Sequence, residues 1–187
     1  MAHVESLLCT GSADVRIIGI WGMGGIGKTT IAEAIYTKVS SQYEGCYFAA
    51  NVRENWEYSR KNELRTKLLA GVLGDQNLDI STPTISSTFV VGRLRRKKLL
   101  IVLDDISDSK QIEYLVGEKD WFGPGSRIIV TTRNKEVFNS GVDELYQVKV
   151  LNSHESLKLF SLNAFQQDHP MREYQHLSDR AVDYAKG

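Results

Sequence analysis

The chain of 187 residues is 42% hydrophobic and 25% charged, which excludes a disordered or fibrous polymer and suits one compact domain with a stub beyond it. Lysine plus arginine and aspartate plus glutamate both total 23, so the formal net charge is zero and nucleic-acid binding as a main task is disfavoured. Two cysteines are too few for a disulfide scaffold, and no apolar run approaches the ~20 residues of a membrane helix, so a cytoplasmic protein with no membrane span is expected.

Residues 1–14 read as a lead-in, without the basic and apolar regions of a secretory signal. Short apolar runs at 16–21, 46–52, 99–103, 128–132 and 145–150 then alternate with helical patterns. That alternation is the signature of a layered α/β fold with a mainly parallel sheet. Ile31, Ile35 and Val39 recur at i, i+4 and i+8 and place an amphipathic helix between the first two runs. A second helical pattern covers 63–73, a surface loop 74–84, and a further helix 86–95, leading into the third run. After residue 150 the alternation stops. Asn152 and Glu155 form a capping-box pattern that opens a helix with Leu157, Phe160 and Ala164 on one side, and Leu177, Ala181 and Tyr184 mark another. In this tail Leu157, Phe160, Leu162, Phe165, Leu177 and Tyr184 have only the core or one another to cover them, which predicts self-association or loosening beyond 151.

The strongest chemical signal is Gly22-Met23-Gly24-Gly25-Ile26-Gly27-Lys28-Thr29, a full match to G-x-x-x-x-G-K-[ST] between an expected strand and an expected helix. Glycines let a backbone wrap phosphates with its N–H groups turned inward, and the positive end of the following helix adds to the attraction. Residues 22–30, through Thr30, are thus candidates for nucleotide binding, with Lys28 on the β- and γ-phosphates and the Thr29 hydroxyl on Mg²⁺. The set is completed by Val15 and Arg16, at the start of the strand that feeds this loop.

The second signal is Leu99-Leu-Ile-Val-Leu103-Asp104-Asp105, a run without alternation that ends in two acids. Such a strand is buried on both faces, and open α/β sheets bind ligands at the carboxyl ends of their strands. Asp104 is the candidate Mg²⁺-side carboxylate and Asp105 the catalytic candidate, placed to orient or deprotonate an attacking water. Two acids after a strand also suit a turn or a helix cap, and it is the P-loop that favours the ligand reading. The third signal is Gly123-Pro-Gly-Ser-Arg127-Ile-Ile-Val-Thr-Thr-Arg133. Arg133, at a strand end, suits either a γ-phosphate or a loop carbonyl. The basic cluster 93–98 reads as the solvated end of a helix, the histidines show no metal-ligand spacing, and the three tryptophans read as packing.

In this order the motifs resemble the nucleotide-binding NB-ARC module of plant disease-resistance receptors of the NLR type, over nearly the whole chain. The P-loop is followed by FAANVRE (48–54), similar to the TIR-class form of the next motif, then by LLIVLDD (99–105), GPGSRIIVTTR (123–133) and YQVKVLNSHESLKLFSLNAF (146–165), which resembles the entry to a helical ARC subdomain. The resemblance implies a three-layer α/β/α P-loop NTPase with a mainly parallel five-stranded sheet in the order 5-1-4-3-2, the arginine-bearing strand lying between the P-loop strand and the Asp104 strand. It divides the chain into the lead-in 1–14, a nucleotide-binding domain 15–150, and the start of a helical subdomain 151–187. It implies an Mg²⁺-dependent switch, resting with ADP and active with ATP, that hydrolyses slowly and serves cytosolic immune signalling. It assigns Arg133 to the γ-phosphate. The partners it implies are the nucleotide, the TIR domain, leucine-rich repeats and remaining ARC region of the same receptor, and a second copy when ATP is bound. Ser107 departs from the family pattern, which usually has aspartate or tryptophan there. Ala185-Lys186-Gly187 resembles the approach to a Gly-Leu-Pro-Leu motif and stops at its glycine, so the sequence reads as a segment of such a receptor. A small metabolic kinase would use the same P-loop, but it needs an acceptor pocket and usually an arginine-rich lid, and no such insertion is evident. A purely structural module would leave the Lys28–Asp104–Arg133 set without a purpose.

Overall fold

In the computed structural model, which describes residues 8, 11–57, 60–75, 88–139 and 141–185, the apolar runs become the strands of one sheet. The strands β1 (Arg16–Trp21), β2 (Gly45–Ala49), β3 (Leu99–Ile106), β4 (Arg127–Thr132) and β5 (Glu144–Gln147) are all parallel, in the order β2-β3-β4-β1-β5. This is the expected order read from the other edge. Because successive side chains alternate across a strand, the core divides in two. Ile17, Ile101, Leu103, Ile128 and Val130 enter one cluster, while Ile18, Ile20, Leu100, Val102 and Ile129 enter the other.

Helix α1 (Lys28–Val39) covers the second face through Ala32, Ile35 and Val39, as its sequence period requires. The opposite face takes α2 (Val52–Glu57), α3 (Lys61–Leu73), α4 (Thr88–Leu94) and α5 (Ser109–Val116), which bury Val52, Leu64, Leu68, Leu69, Val90, Leu94, Leu115 and Val116. Each fully buried side chain of this size contributes roughly 1.5–3 kcal/mol of transfer free energy, which fixes the three layers. Helix α3 packs so close to β2 that a Cβ on Gly45 would stand 2.0 Å from the Val72 carbonyl oxygen. Only glycine fits there.

The lead-in is fastened to the far end of this sheet. Arg127, fully buried at the start of β4, donates from its guanidinium to the carbonyls of Leu8, of Ser12 at 3.1 Å, of Asp14 at 2.6 Å and of Ser126 at 2.9 Å. The Gly125 N–H adds a bond to the Ala13 carbonyl at 2.7 Å, and Leu8 lies in the second core cluster. At the surface, Arg93 pairs with Asp75 at 2.9 Å and Arg95 with Asp120 at 3.1 Å, consistent with a solvated helix end.

Several boundaries differ from the sequence reading. Strand β2 stops at Ala49, not 52, because Asn51 turns left-handed at φ 51° and Val52 already opens α2. Strand β3 runs three residues past Leu103, carried over a bulge in which its register against β4 shifts between Leu103 and Ile106. Strand β5 ends at Gln147, although the Val148 N–H still bonds the Trp21 carbonyl at 2.8 Å. Helix α5, absent from the sequence reading, is opened by a capping box of Asp108 and Gln111. Of the expected loop 74–84 and helix 86–95, residues 76–87 lie outside the described residues.

Contacts divide the chain into two compact units, Met1–Val148 and Lys149–Gly187. In the second, Asn152 and Glu155 cap α6 (Ser153–Phe165) reciprocally, at 2.9 and 3.0 Å. Phe165 meets Phe160 edge-on and stacks on Tyr174, which precedes α7 (Gln175–Ala185). Leu157, Phe160 and Phe165 are half-buried, whereas Leu162, Leu177 and Tyr184 are exposed.

Candidate functional site

Parallel strands bring all their carboxyl ends to one edge, so the segments after β1, β2, β3 and β4 meet there. They enclose a cavity of about 240 Å³ lined by Gly25, Gly27, Lys28, Thr29, Thr30, Asn51, Asp104, Asp105, Thr131 and Arg133. The loop from Gly22 to Gly27 turns through left-handed backbone at Gly25 (φ 78°) and Gly27 (φ 95°), conformations that favour glycine. Gly27 caps α1 without a side-chain bond. The first N–H groups of a helix have no intrahelical acceptor, so those of α1 are left for an anion.

Lys28 is 7% exposed and donates to the carbonyls of Gly22 at 2.9 Å and Met23 at 2.6 Å. Burial pushes its pKa down from the ordinary value, the Arg133 charge pushes the same way, and Asp105 and Asp104 oppose both. The Thr29 hydroxyl oxygen lies 2.9 and 3.1 Å from the two carboxylate oxygens of Asp104, which is 2% exposed. The Thr131 hydroxyl donates to Asp104 Oδ1 at 2.7 Å and accepts from the Asp105 N–H at 2.9 Å. One threonine thus ties both acids together.

Asp105 sits in the bulge of β3 with a left-handed φ of 58°. Its two carboxylate oxygens engage different arginines. Oδ1 lies 3.3 Å from Arg133 Nε, and Oδ2 lies 3.0 Å from Arg53 Nη2 on α2. Arg133 also leans on the P-loop, since a Cβ on Gly24 would stand 3.5 Å from its Nη1.

Of the sequence candidates, Gly25, Gly27, Lys28, Thr29, Thr30, Asp104, Asp105 and Arg133 line this cavity. Of the remaining loop residues, the Gly22 N–H bonds the Thr132 carbonyl at 3.3 Å, Met23 is exposed, and Ile26 packs against the second core cluster. Val15 and Arg16 are not brought to this cavity. They lie at the other end of β1, where Val15 packs on the first core cluster and Arg16 sits 3.8 Å from Asp14 and 3.7 Å from Glu144. Sequence reasoning missed Asn51, Arg53 and Thr131. Asn51 and Arg53 follow a strand of the same parallel sheet, and that position was the available signal. Among the described residues no cluster of three or more His, Cys, Asp or Glu could hold a metal, and no helix is long and apolar enough to cross a membrane.

The NB-ARC domain family model matches residues 1–170. The chain belongs to the NB-ARC family. Its relatives are plant disease-resistance proteins, as the motif order implied. This NB-ARC chain is 44% identical over 188 residues to disease resistance-like protein DSC1 of Arabidopsis thaliana, covering 100% of the chain and 15% of that protein. It is 43% identical over 191 residues to disease resistance protein RUN1 of Vitis rotundifolia, covering 100% and 14%. It is 44% identical over 196 residues to TMV resistance protein N of Nicotiana glutinosa, covering 100% and 17%. The chain thus spans less than a fifth of these relatives' length. Among solved structures, Cdc6p from Pyrobaculum aerophilum superposes with a TM-score of 0.58 at 13% identity, over 97% of this chain and 54% of that one. Replication initiator DnaA bound to AMPPCP and single-stranded DNA gives 0.52 at 16%, over 98% and 55%. At such identities the likeness establishes the P-loop ATPase fold of the NB-ARC chain.

Proposed function

We propose that the chain is an ATP/ADP-binding switch, Mg²⁺-dependent and slowly hydrolytic, within a cytoplasmic plant immune receptor. The observation that carries this reading is the convergence of Lys28, Thr29, Asp104, Asp105 and Arg133 on one cavity at the carboxyl edge of the sheet. Membership of the NB-ARC family supports it, as does the nucleotide analogue named with DnaA.

Phosphates entering the loop would find the N–H groups of α1 and the Lys28 ammonium. Lys28 would exchange the Gly22 and Met23 carbonyls for phosphate oxygens, a stronger, charge-assisted bond. Thr29 and Asp104 offer a hydroxyl and a buried carboxylate, the hard oxygen donors Mg²⁺ prefers. When bound there, Mg²⁺ would neutralise phosphate charge and orient the terminal group. Arg133, already against the P-loop, reaches for the γ-phosphate, and Asp105 orients the attacking water once an arginine leaves one of its oxygens. Val15 and Arg16 take no part in this phosphate-side chemistry. A TIR domain, leucine-rich repeats and the rest of the ARC region are the partners through which the nucleotide state would be read, with a second copy joining in the ATP state.

Mass spectrometry of nucleotide released on denaturing the purified chain tests the reading, together with titration of a fluorescent ADP analogue. ADP or ATP in the released fraction supports it. A chain that carries no nucleotide and binds no analogue overturns it.

A further inference from the structure

Arg53 meets Asp105 from outside the cavity. Its helix is held firmly in place, because Val52 is wholly buried and Trp56 packs edge-on against Tyr114 with ring centroids 5.1 Å apart. The turn before it is closed by bonds from Asn55, through N–H at 3.1 Å and Nδ2 at 3.0 Å, to the carbonyl of left-handed Asn51. Arg133 is the more exposed of the two, its side chain 53% exposed against 40% for Arg53, and it lies between Asp105 and the P-loop. One carboxylate is thus shared by an arginine on a packed helix, 3.0 Å from Oδ2, and a more exposed one, 3.3 Å from Oδ1.

We propose that Arg53 is the positioning residue through which this pocket tells a nucleoside triphosphate from a diphosphate, by holding Asp105 while Arg133 leaves it for the terminal phosphate. The proposal rests on the nucleotide-binding reading above. A terminal phosphate competes with Asp105 for Arg133, since guanidinium suits either anion. With Arg53 in place, Asp105 keeps one charge partner when Arg133 departs. Without it, Asp105 holds Arg133 more tightly and turns an uncompensated negative charge toward the incoming phosphate. A diphosphate does not reach Arg133 and is indifferent to this exchange. Helix α2 then registers which nucleotide is bound, because its arginine carries Asp105 alone in one state and shares it in the other.

The test compares affinities for AMPPNP and ADP in the presence of Mg²⁺ across a double-mutant cycle. Arg53→Gln is expected to weaken AMPPNP binding about tenfold and ADP binding less than about threefold. In an Asp105→Asn background the same substitution is expected to leave the AMPPNP-to-ADP ratio within about twofold, because the charge it acts through is gone. Arg53→Lys keeps the charge without the fork and is expected to fall between, and it carries the test if the glutamine variant fails to fold. Equal weakening of both nucleotides, or a ratio that shifts as much in the Asp105→Asn background, overturns the proposal. Failure of the unsubstituted chain to bind either nucleotide overturns the nucleotide-binding reading itself, a result distinct from both.

Discussion

The Thr29 hydroxyl lies within 3.1 Å of both carboxylate oxygens of Asp104, a residue 75 positions further along the chain. Two strands and a helix are needed to bring them together, and the pair presents hard oxygens beside the phosphate loop. Asp104→Asn keeps the shape and removes the charge. The gain in AMPPNP affinity on adding Mg²⁺ is therefore expected to shrink about tenfold, with affinity in EDTA little changed. Calorimetric titration with and without the cation decides the point. An undiminished Mg²⁺ response would remove Asp104 from any metal role.

Lys28→Ala is expected to lower ADP affinity about ten- to a hundredfold while leaving the fold largely intact, since charge-assisted phosphate contacts are worth roughly 1.5–3 kcal/mol. The pH dependence follows from the depressed pKa of Lys28, which burial causes first and Arg133 second. Phosphates favour the ammonium form, so binding takes up a proton wherever the free site has lost it. Affinity is expected to fall as pH rises through the depressed value, below the ordinary 10.5. Lys28→Met should remove that slope, and a slope that persists in this variant would assign it to another group.

Asp105 combines a charge role with an unusual backbone. Asp105→Asn removes the charge but tolerates the left-handed φ of 58°, so AMPPNP should still bind while ATP turnover falls by about a hundredfold or more. Asp105→Ala loses the charge and also fits that backbone poorly. It is expected to be about 1 kcal/mol less stable than Asp105→Asn in urea unfolding. Equal stability of the two variants would show that the bulge relaxes to a backbone that alanine tolerates.

The second unit displays Leu162, Leu177 and Tyr184 at 44%, 56% and 91% exposure. Single exposed apolar residues are ordinary, but several on a unit this small favour association. Replacing the three with serine is expected to lower self-association in sedimentation velocity without lowering the melting temperature. A fall in melting temperature would mean that these side chains are covered in solution.

How much of this was legible in the sequence depended on whether the signal was local. The P-loop was fully readable, because Gly25, Gly27, Lys28 and Thr29 act through adjacent backbone. The unalternating Leu99–Leu103 run likewise announced a strand buried on both faces. Arg53 was readable only as a residue after a strand of the parallel sheet. Its contact with Asp105 needs β2 to stop at Ala49, three residues before the expected end, and Asn51 to turn left-handed, which no residue pattern foretold. The bulge that turns Asp104 toward Thr29 and Asp105 toward the arginines is a property of pairing with β4, invisible in β3 alone. Helix α5 could have been found, since Asp108 and Gln111 carry a capping signal. Val15 and Arg16 are near the P-loop in sequence, but the six-residue β1, about 17 Å long, carries them to the opposite end of the sheet.

Arg127 sits fully buried at the end of β4 remote from the phosphate loop, with carbonyls of Leu8, Ser12 and Asp14 among its acceptors. A polypeptide begun at β1 would keep the guanidinium and lose those acceptors, leaving a buried cation short of hydrogen bonds, a condition costing several kcal/mol in comparable settings. Leu8, Ser12 and Asp14 of the lead-in therefore contribute to what keeps Arg127 buried at the foot of the sheet. The fastening holds the described lead-in residues on the sheet end opposite the P-loop. A torque applied to that strap would act on the foot of β4, the same strand that carries Thr131 and leads into Arg133 at its other end.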